Sequence, residues 1–340
     1  MSLPKFEYVA PKTVAKAISL QKKLGKFVAG GTDLFVAMTE RISHPELLID
    51  LNTISELRGI KWDKKNGLRV GALTTLTRLK ENPIVQERFP VLSQIVSLVS
   101  TPQLQNMGTL GGNLCLDTRC YYYNQSAFFK KRWEPCFKIR GKVCHVVKGG
   151  DTCYAAYSGD MAAPLIALEA KVKIAGPNGT SEKKLQDFFT GSGIKPNILK
   201  FNEIVTEISI PAPPEHSGLS YQKLRLRDTM DFPLLGVALF IRLEDMDSMS
   251  CRDVRLILNA VGPSPIILEE EASNLMCGKK ITPKIINDVS KIAQKAARPV
   301  NNTASSPMYR NEMVRVLTKN AIHEALERIK NVHASRGSPG

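Results

Sequence analysis

Long apolar runs are missing from this chain. The most extended, such as residues 234–241, fall far short of the roughly 20 residues a spanning helix needs, so no membrane span is expected. The opening residues, Met1-Ser2-Leu3-Pro4-Lys5, hold no apolar stretch of the secretory kind, and a reducing, cytoplasmic setting is expected. Repeats and low-complexity tracts are absent. With 43% hydrophobic and 23% charged residues, a disordered chain is excluded. There is no G-x-x-x-x-G-K-S/T loop and no G-x-G-x-x-G between a strand and a helix, so the two commonest nucleotide fingerprints are excluded. The histidines are few and scattered (His44, His145, His216, His323, His333). Neither an H-E-x-x-H zinc site nor a Ser–His–Asp arrangement is indicated, and no residue is singled out as catalytic. Acidic residues are scarce: 32 against 47 Lys and Arg, a net charge of +15. That surplus favours an acidic partner of some kind or is simply a solvated surface.

What is present is order along 340 residues, enough for two or three domains. The pattern is α+β. Helices are expected at 14–24, 89–98, 161–170, 282–296 and 309–329, and strands at 26–29, 47–50, 68–71, 171–175 and 204–210. Pro211-Ala212-Pro213-Pro214 marks a boundary. Beyond it, residues 218–227, 236–243 and 254–261 alternate like antiparallel strands. Residues 331–340 are expected to be a frayed tail.

Three segments carry chemistry. Val28-Ala29-Gly30-Gly31-Thr32-Asp33-Leu34 runs from a strand into two glycines, a hydroxyl and a carboxylate; glycines let backbone N–H groups approach a phosphate. Residues 101–114 form a long Gly-, Asn- and Thr-rich loop with a second Gly-Gly pair. Two such loops could clamp a dinucleotide, or be two unrelated turns. The third segment, 117–157, looks inserted: it has eight Lys/Arg against three Asp/Glu and five of the eight tyrosines. Five of the seven cysteines (Cys115, Cys120, Cys136, Cys144, Cys153) fall at 115–153, and no C-x-x-C pair occurs among them. The residues themselves leave a metal site and buried thiols equally open.

In their order and spacing these motifs resemble the FAD-binding medium subunits of the molybdenum hydroxylases, the family of xanthine and carbon monoxide dehydrogenases. The resemblance spans nearly the whole chain. It rests on V-A-G-G-T-D-L at 28–34, L-R-V-G-A-L-T-T-L-T at 68–77, Gln103 to Leu114, Ser158-Gly159-Asp160 with the A-P-L-I-A-L-E-A run after it, Tyr221 to Arg227, and Asp231-Phe232-Pro233. Two departures stand out: Gln105 where many members carry Arg, and Gly159 in place of a common proline. The fold implied is a two-subdomain FAD-binding domain of the PCMH/vanillyl-alcohol-oxidase type over 1–213, then an α+β C-terminal domain of antiparallel sheet and helices over 214–330.

The resemblance implies roles. Ala29, Gly30, Gly31, Thr32, Asp33 and Leu34 would meet the FAD diphosphate and ribityl region. Thr109, Gly111, Gly112 and Asn113 would form a second wall. Asp160 would accept a hydrogen bond from a flavin or ribose hydroxyl, and Lys223 would approach the flavin ring. The insertion resembles that of the medium subunit of 4-hydroxybenzoyl-CoA reductase, which implies a [4Fe-4S] cluster on Cys120, Cys136, Cys144 and Cys153, with Cys115 left over and Cys251 and Cys277 as structural thiols. The implied partners are a large molybdenum-cofactor subunit, a small subunit with two [2Fe-2S] clusters, in a dimer of heterotrimers, and ferredoxin as electron donor or acceptor. Electrons would pass from ferredoxin through [4Fe-4S], FAD and the [2Fe-2S] clusters to molybdenum, in a reductive dehydroxylation. Alternatives are an anaerobic hydroxylase of the same family running oxidatively, an NAD-linked medium subunit, and a structural zinc site in place of the cluster. A nucleic-acid-binding role is not expected, because no recognition helix or RNA-binding motif accompanies the basic charge.

Overall fold

A computed structural model describes residues 3–21 and 24–337. Three sheets organise it. Strands β1 (Glu7–Val9), β2 (Gly25–Val28) and β3 (Leu47–Asp50) form a parallel sheet in the order β1-β3-β2. The central β3 reads Leu-Leu-Ile and is buried at all three of those positions, as a strand covered on both faces must be. Strands β4 (Ile60–Asp63), β5 (Gly67–Gly71), β6 (Lys171–Gly176), β7 (Gly179–Lys184) and β8 (Ile204–Ile210) form an antiparallel sheet in the order β4-β5-β8-β6-β7. The expectation of a strand from 204 is met, whereas β7 is exposed along its whole length and has no apolar alternation to announce it.

Strands β9 (Ser217–Leu224), β10 (Leu235–Leu243), β11 (Cys251–Asn259) and β12 (Ile266–Ile267) make the third sheet, order β12-β11-β10-β9. β10 is apolar almost throughout because both its faces are covered. Ala238 and Phe240 join the core around helix Ala162–Ala167, while Leu235, Val237, Leu239 and Ile241 join a second core with helices Pro283–Ala296 and Pro307–Gly337. Thr282 caps the first of these, its hydroxyl accepting from the Ile285 amide at 3.4 Å.

Two expectations change. Residues 101–114 are not a loop but two short helices, Pro102–Met107 and Leu110–Leu114. Thr101 and Thr109 cap them, each accepting from the amide three residues on, which is enough to start a helix in polar sequence. The last helix, expected over 309–329, runs from Pro307 as far as Gly337; residues 338–340 of the expected tail lie outside the described residues. No helix among the described residues is long and apolar enough to cross a membrane.

Candidate functional site: two glycine segments and a cysteine-lined cavity

β2 delivers the chain to Gly30-Gly31 at its carboxyl end, and helix Leu34–Thr39 leaves from there. A Cβ on Gly30 would lie 1.9 Å from the Met107 carbonyl oxygen, so only glycine lets this turn rest on the helix beneath it. Gly31 has φ +70°, a left-handed conformation that favours glycine. The amides of Gly30, Gly31, Thr32 and Asp33 donate to no group of the chain among the described residues. A row of free N–H groups between a strand end and a helix start suits phosphate oxygens. Ala29 is pinned by Asn52, whose Nδ2 donates to its carbonyl at 2.8 Å, and Leu34 packs against Val28, Met38 and Leu48. Asp33 makes no cap bond; its carboxylate accepts from Arg119 Nη1 at 2.6 Å.

The second glycine pair behaves differently. Its amides are spent inside the fold: Leu110 and Gly111 donate to the Thr74 and Ala72 carbonyls at 3.0 and 2.9 Å, and Gly112 to Thr109 Oγ1 at 3.1 Å. Gly111 is buried and Gly112 exposed. Asn113 Oδ1 accepts from the Met161 amide at 3.0 Å, and the Tyr157 hydroxyl stands 3.1 Å from the carbonyls of Asn113 and Leu114. The two segments meet where the first rests on Met107 and Gly108.

Behind Asn113 stand Asp160 and Lys223, brought together from two sheets' surroundings. Their ion pair is 3.0 Å long, with side chains 4% and 1% exposed. Tyr221 donates to the other carboxylate oxygen at 3.0 Å, and Lys223 also reaches the Leu98 carbonyl at 2.8 Å. Burial pushes the Asp160 carboxyl up, and Lys223 followed by Tyr221 pulls it part of the way back. Both oxygens of Asp160 and the amine of Lys223 are thus engaged by the chain itself. Gln105, the departure from the common Arg, is buried and tied to the Val99 carbonyl at 2.7 Å and to Lys80 at 3.2 Å.

Residues 117–157 bring Cys120, Cys136, Cys144 and Cys153 to the wall of one cavity, and Cys115 is not part of that wall. The cavity measures about 20 Å³, room for about one water. Among the described residues no three His, Cys, Asp or Glu side chains are gathered as tightly as one metal ion requires. Burial raises the Cys120 thiol to about 11, with Cys153 and Cys136 adding to it; Cys153 is raised by burial and by Cys136 and Cys144, against the pull of Lys138. Cys115 is raised to about 12 by burial alone. The base of the segment is closed by paired amides: Arg119 to the Ala156 carbonyl at 2.7 Å, Ala156 to that of Arg119 at 2.9 Å.

Two basic residues of this segment take on roles only in the folded chain. Arg119 joins the cysteine segment to the first glycine turn and lies over the Phe232 ring at 4.2 Å. Lys138 is buried beside the cavity. Their partners are 20 to 86 residues away, so local sequence carries no signal for either role.

Comparison with known proteins accounts for this architecture. Residues 4–213 match the family described as FAD binding domain in molybdopterin dehydrogenase, and 220–325 the CO dehydrogenase flavoprotein C-terminal domain. The carbon monoxide dehydrogenase medium chain of Hydrogenophaga pseudoflava is 31% identical, covering 96% of this chain and 98% of its own. The nicotinate dehydrogenase FAD-subunit of Eubacterium barkeri is 25% identical over 96% and 97%. A solved carbon monoxide dehydrogenase from Hydrogenophaga pseudoflava superposes with a TM-score of 0.79 at 29% identity, covering 96% of this chain and 99% of that one. The free amides of the first glycine turn fit a diphosphate, and the chain belongs to the FAD-binding medium subunits of the molybdenum hydroxylases, as a flavin-carrying subunit of an oxidoreductase.

Proposed function

We propose that this chain holds a [4Fe-4S] cluster in addition to FAD, and that it is the electron-transfer subunit of a 4-hydroxybenzoyl-CoA reductase. The convergence of Cys120, Cys136, Cys144 and Cys153 on one cavity carries the reading. No carboxylate lines the cavity among the described residues, and a buried amine does, which suits an anionic cluster. The cavity as it stands is narrow, and a cluster would part its walls.

When bound, FAD exchanges one or two electrons and a cluster exchanges one at a time. The chain's own contribution is to hold and align. In this assignment Ala29, Gly30, Gly31, Thr32, Asp33 and Leu34 offer amides and the Thr32 hydroxyl to the FAD diphosphate and ribityl region. Thr109, Gly111, Gly112 and Asn113 form the facing wall, and Asp160 with Lys223 braces that wall from behind. Residues 1–213 then form the flavin domain and 214–330 the C-terminal domain. Arg119, the residue next to Cys120, is ion-paired with Asp33 of the flavin turn, which supports a short path between the two cofactors.

The proposed partners are a large molybdenum-cofactor subunit, a small subunit with two [2Fe-2S] clusters, and an acidic carrier of the ferredoxin type. The outer face of the insertion supports the last. An open groove of about 350 Å³ there is lined by Tyr121, Tyr122, Phe129, Lys130 and Trp133, with Phe128 68% exposed beside it. Aromatic surface beside Lys130 and Arg132 suits an acidic protein.

The test is iron, acid-labile sulfide and flavin content of the complex purified anaerobically, with electron paramagnetic resonance after reduction. About four irons and four sulfides per chain beyond those of the small subunit are expected, and Cys136→Ser should abolish that signal while FAD remains. FAD without the extra iron overturns the reading.

A further inference from the structure

Lys138 follows Cys136 by two residues, in the turn Phe137–Ile139. Its side chain is 3% exposed. Its ammonium lies 2.6 Å from Asp117 Oδ1, 2.6 Å from Thr118 Oγ1 and 2.7 Å from the Gly193 carbonyl. An ammonium has three protons, and three oxygens take them, so the cation is fixed in place. It lines the same cavity as the four cysteines. Gly193, one of its acceptors, packs on Cys153: a Cβ there would stand 2.8 Å from the Cys153 sulfur. The ammonium therefore sits one carbonyl away from a cluster ligand.

Two charges of opposite sign meet here, and they are not equally screened. Asp117 is 42% exposed, so water weakens its field at the cavity. The buried ammonium keeps more of its own. The net field inside the cavity is positive. A cluster on four thiolates gains one more negative charge when it takes an electron, without a proton, and a fixed positive field stabilises that product more than the starting state.

Building on the cluster reading above, we propose that Lys138 sets the reduction potential of the cluster, raising it by a fixed buried charge, and that Asp117 opposes it from the solvent side. The role differs from packing because charge has a sign. Lys138→Met keeps the length of the side chain and removes the charge; it should lower the equilibrium constant for cluster reduction about tenfold, ~59 mV for one electron. Asp117→Asn keeps the hydrogen-bonding shape and should shift the potential in the opposite, positive direction. Lys138→Arg should stay near wild type.

The experiment is a dithionite titration of the whole complex followed by electron paramagnetic resonance, with iron and flavin content measured on each variant. Opposite shifts in Lys138→Met and Asp117→Asn establish the role. If Lys138→Met fails to assemble a cluster, the sign in Asp117→Asn decides: a positive shift upholds the proposal, and an unchanged or negative one overturns it. Unchanged potentials, or shifts of the same sign in both variants, overturn it while the cluster reading stands. A wild-type complex without the extra iron signal overturns both.

Discussion

The glycine segments and the cysteine segment are held by opposite means. The first are embedded in the core. Leu110 and Leu114 are fully buried, Gly111 presses on Ala72, and Gly30 rests on the backbone of Met107. The cysteine segment has a single α-helix, of four residues, and none of that helix is buried. Tyr121, Phe128, Phe129, Trp133 and Ile139 are exposed. What fixes it is a handful of polar ties: the Arg119–Ala156 pair, the Lys138 knot, and Asn302, which accepts from the Tyr121 amide at 2.9 Å and donates to the Tyr154 carbonyl at 2.8 Å. A preformed core can hold its shape without its ligand, whereas a segment with little apolar burial draws stability from whatever its cysteines bind.

If the cysteines hold the proposed cluster, removing its iron should break the contrast most sharply. In Cys136→Ser, or after anaerobic chelation, protease cleavage should rise within 120–153 and nowhere in 25–115, as read by mass spectrometry of the fragments. Equal cleavage in both regions would show that the segment stands by itself.

On the rigid side the largest effect is expected at the buried pair behind the second glycine segment. Lys223→Met leaves Asp160 unpaired in the interior and should cost about 3–5 kcal/mol in denaturant unfolding. The pH dependence has a definite sign. Burial already raises the folded pKa of Asp160, and losing Lys223 raises it further. A raised carboxyl stabilises the fold at low pH and loses that contribution as pH climbs through its folded pKa. The deficit should therefore be smallest in acid and grow toward neutrality.

Gly30→Ala is next. Its Cβ would meet the Met107 carbonyl, and overpacking of this kind costs about 1–3 kcal/mol. Flavin content should fall while the iron signal persists, which sharpens the independence of the two regions. Arg119→Gln tests the link between them. Its ion pair with Asp33 is a quarter to a third exposed, so the stability loss should not exceed about 1 kcal/mol. The smallest effect belongs to Cys115→Ala: the residue is outside the cavity wall, and iron content should match wild type.

The Gly30-Gly31 turn and the Thr109 cap were legible because their chemistry is local. A strand, two glycines and a helix are set by neighbouring residues, and Gly30, Gly31 and the Thr109 cap stand where such punctuation places them. The short helices at 102–114 were not legible as helices, since stretches of five or six residues are too short to show an apolar period and rely on their caps. The exposed strand β7 was silent for the same reason: it is held by pairing with β6, not by a buried face.

By itself, then, the sequence determined the order of elements, the Gly30-Gly31 turn and the supply of cysteines, all of which follow from backbone freedom and residue type within a few positions. Only the tertiary structure decided which amides stay free, that Asp160 is paired with Lys223, that Cys115 is excluded from the cavity while four other cysteines share it, and that Lys138 points its charge beside them. These depend on partners tens of residues away, and burial and hydrogen-bond competition among such partners exist only once the chain has folded.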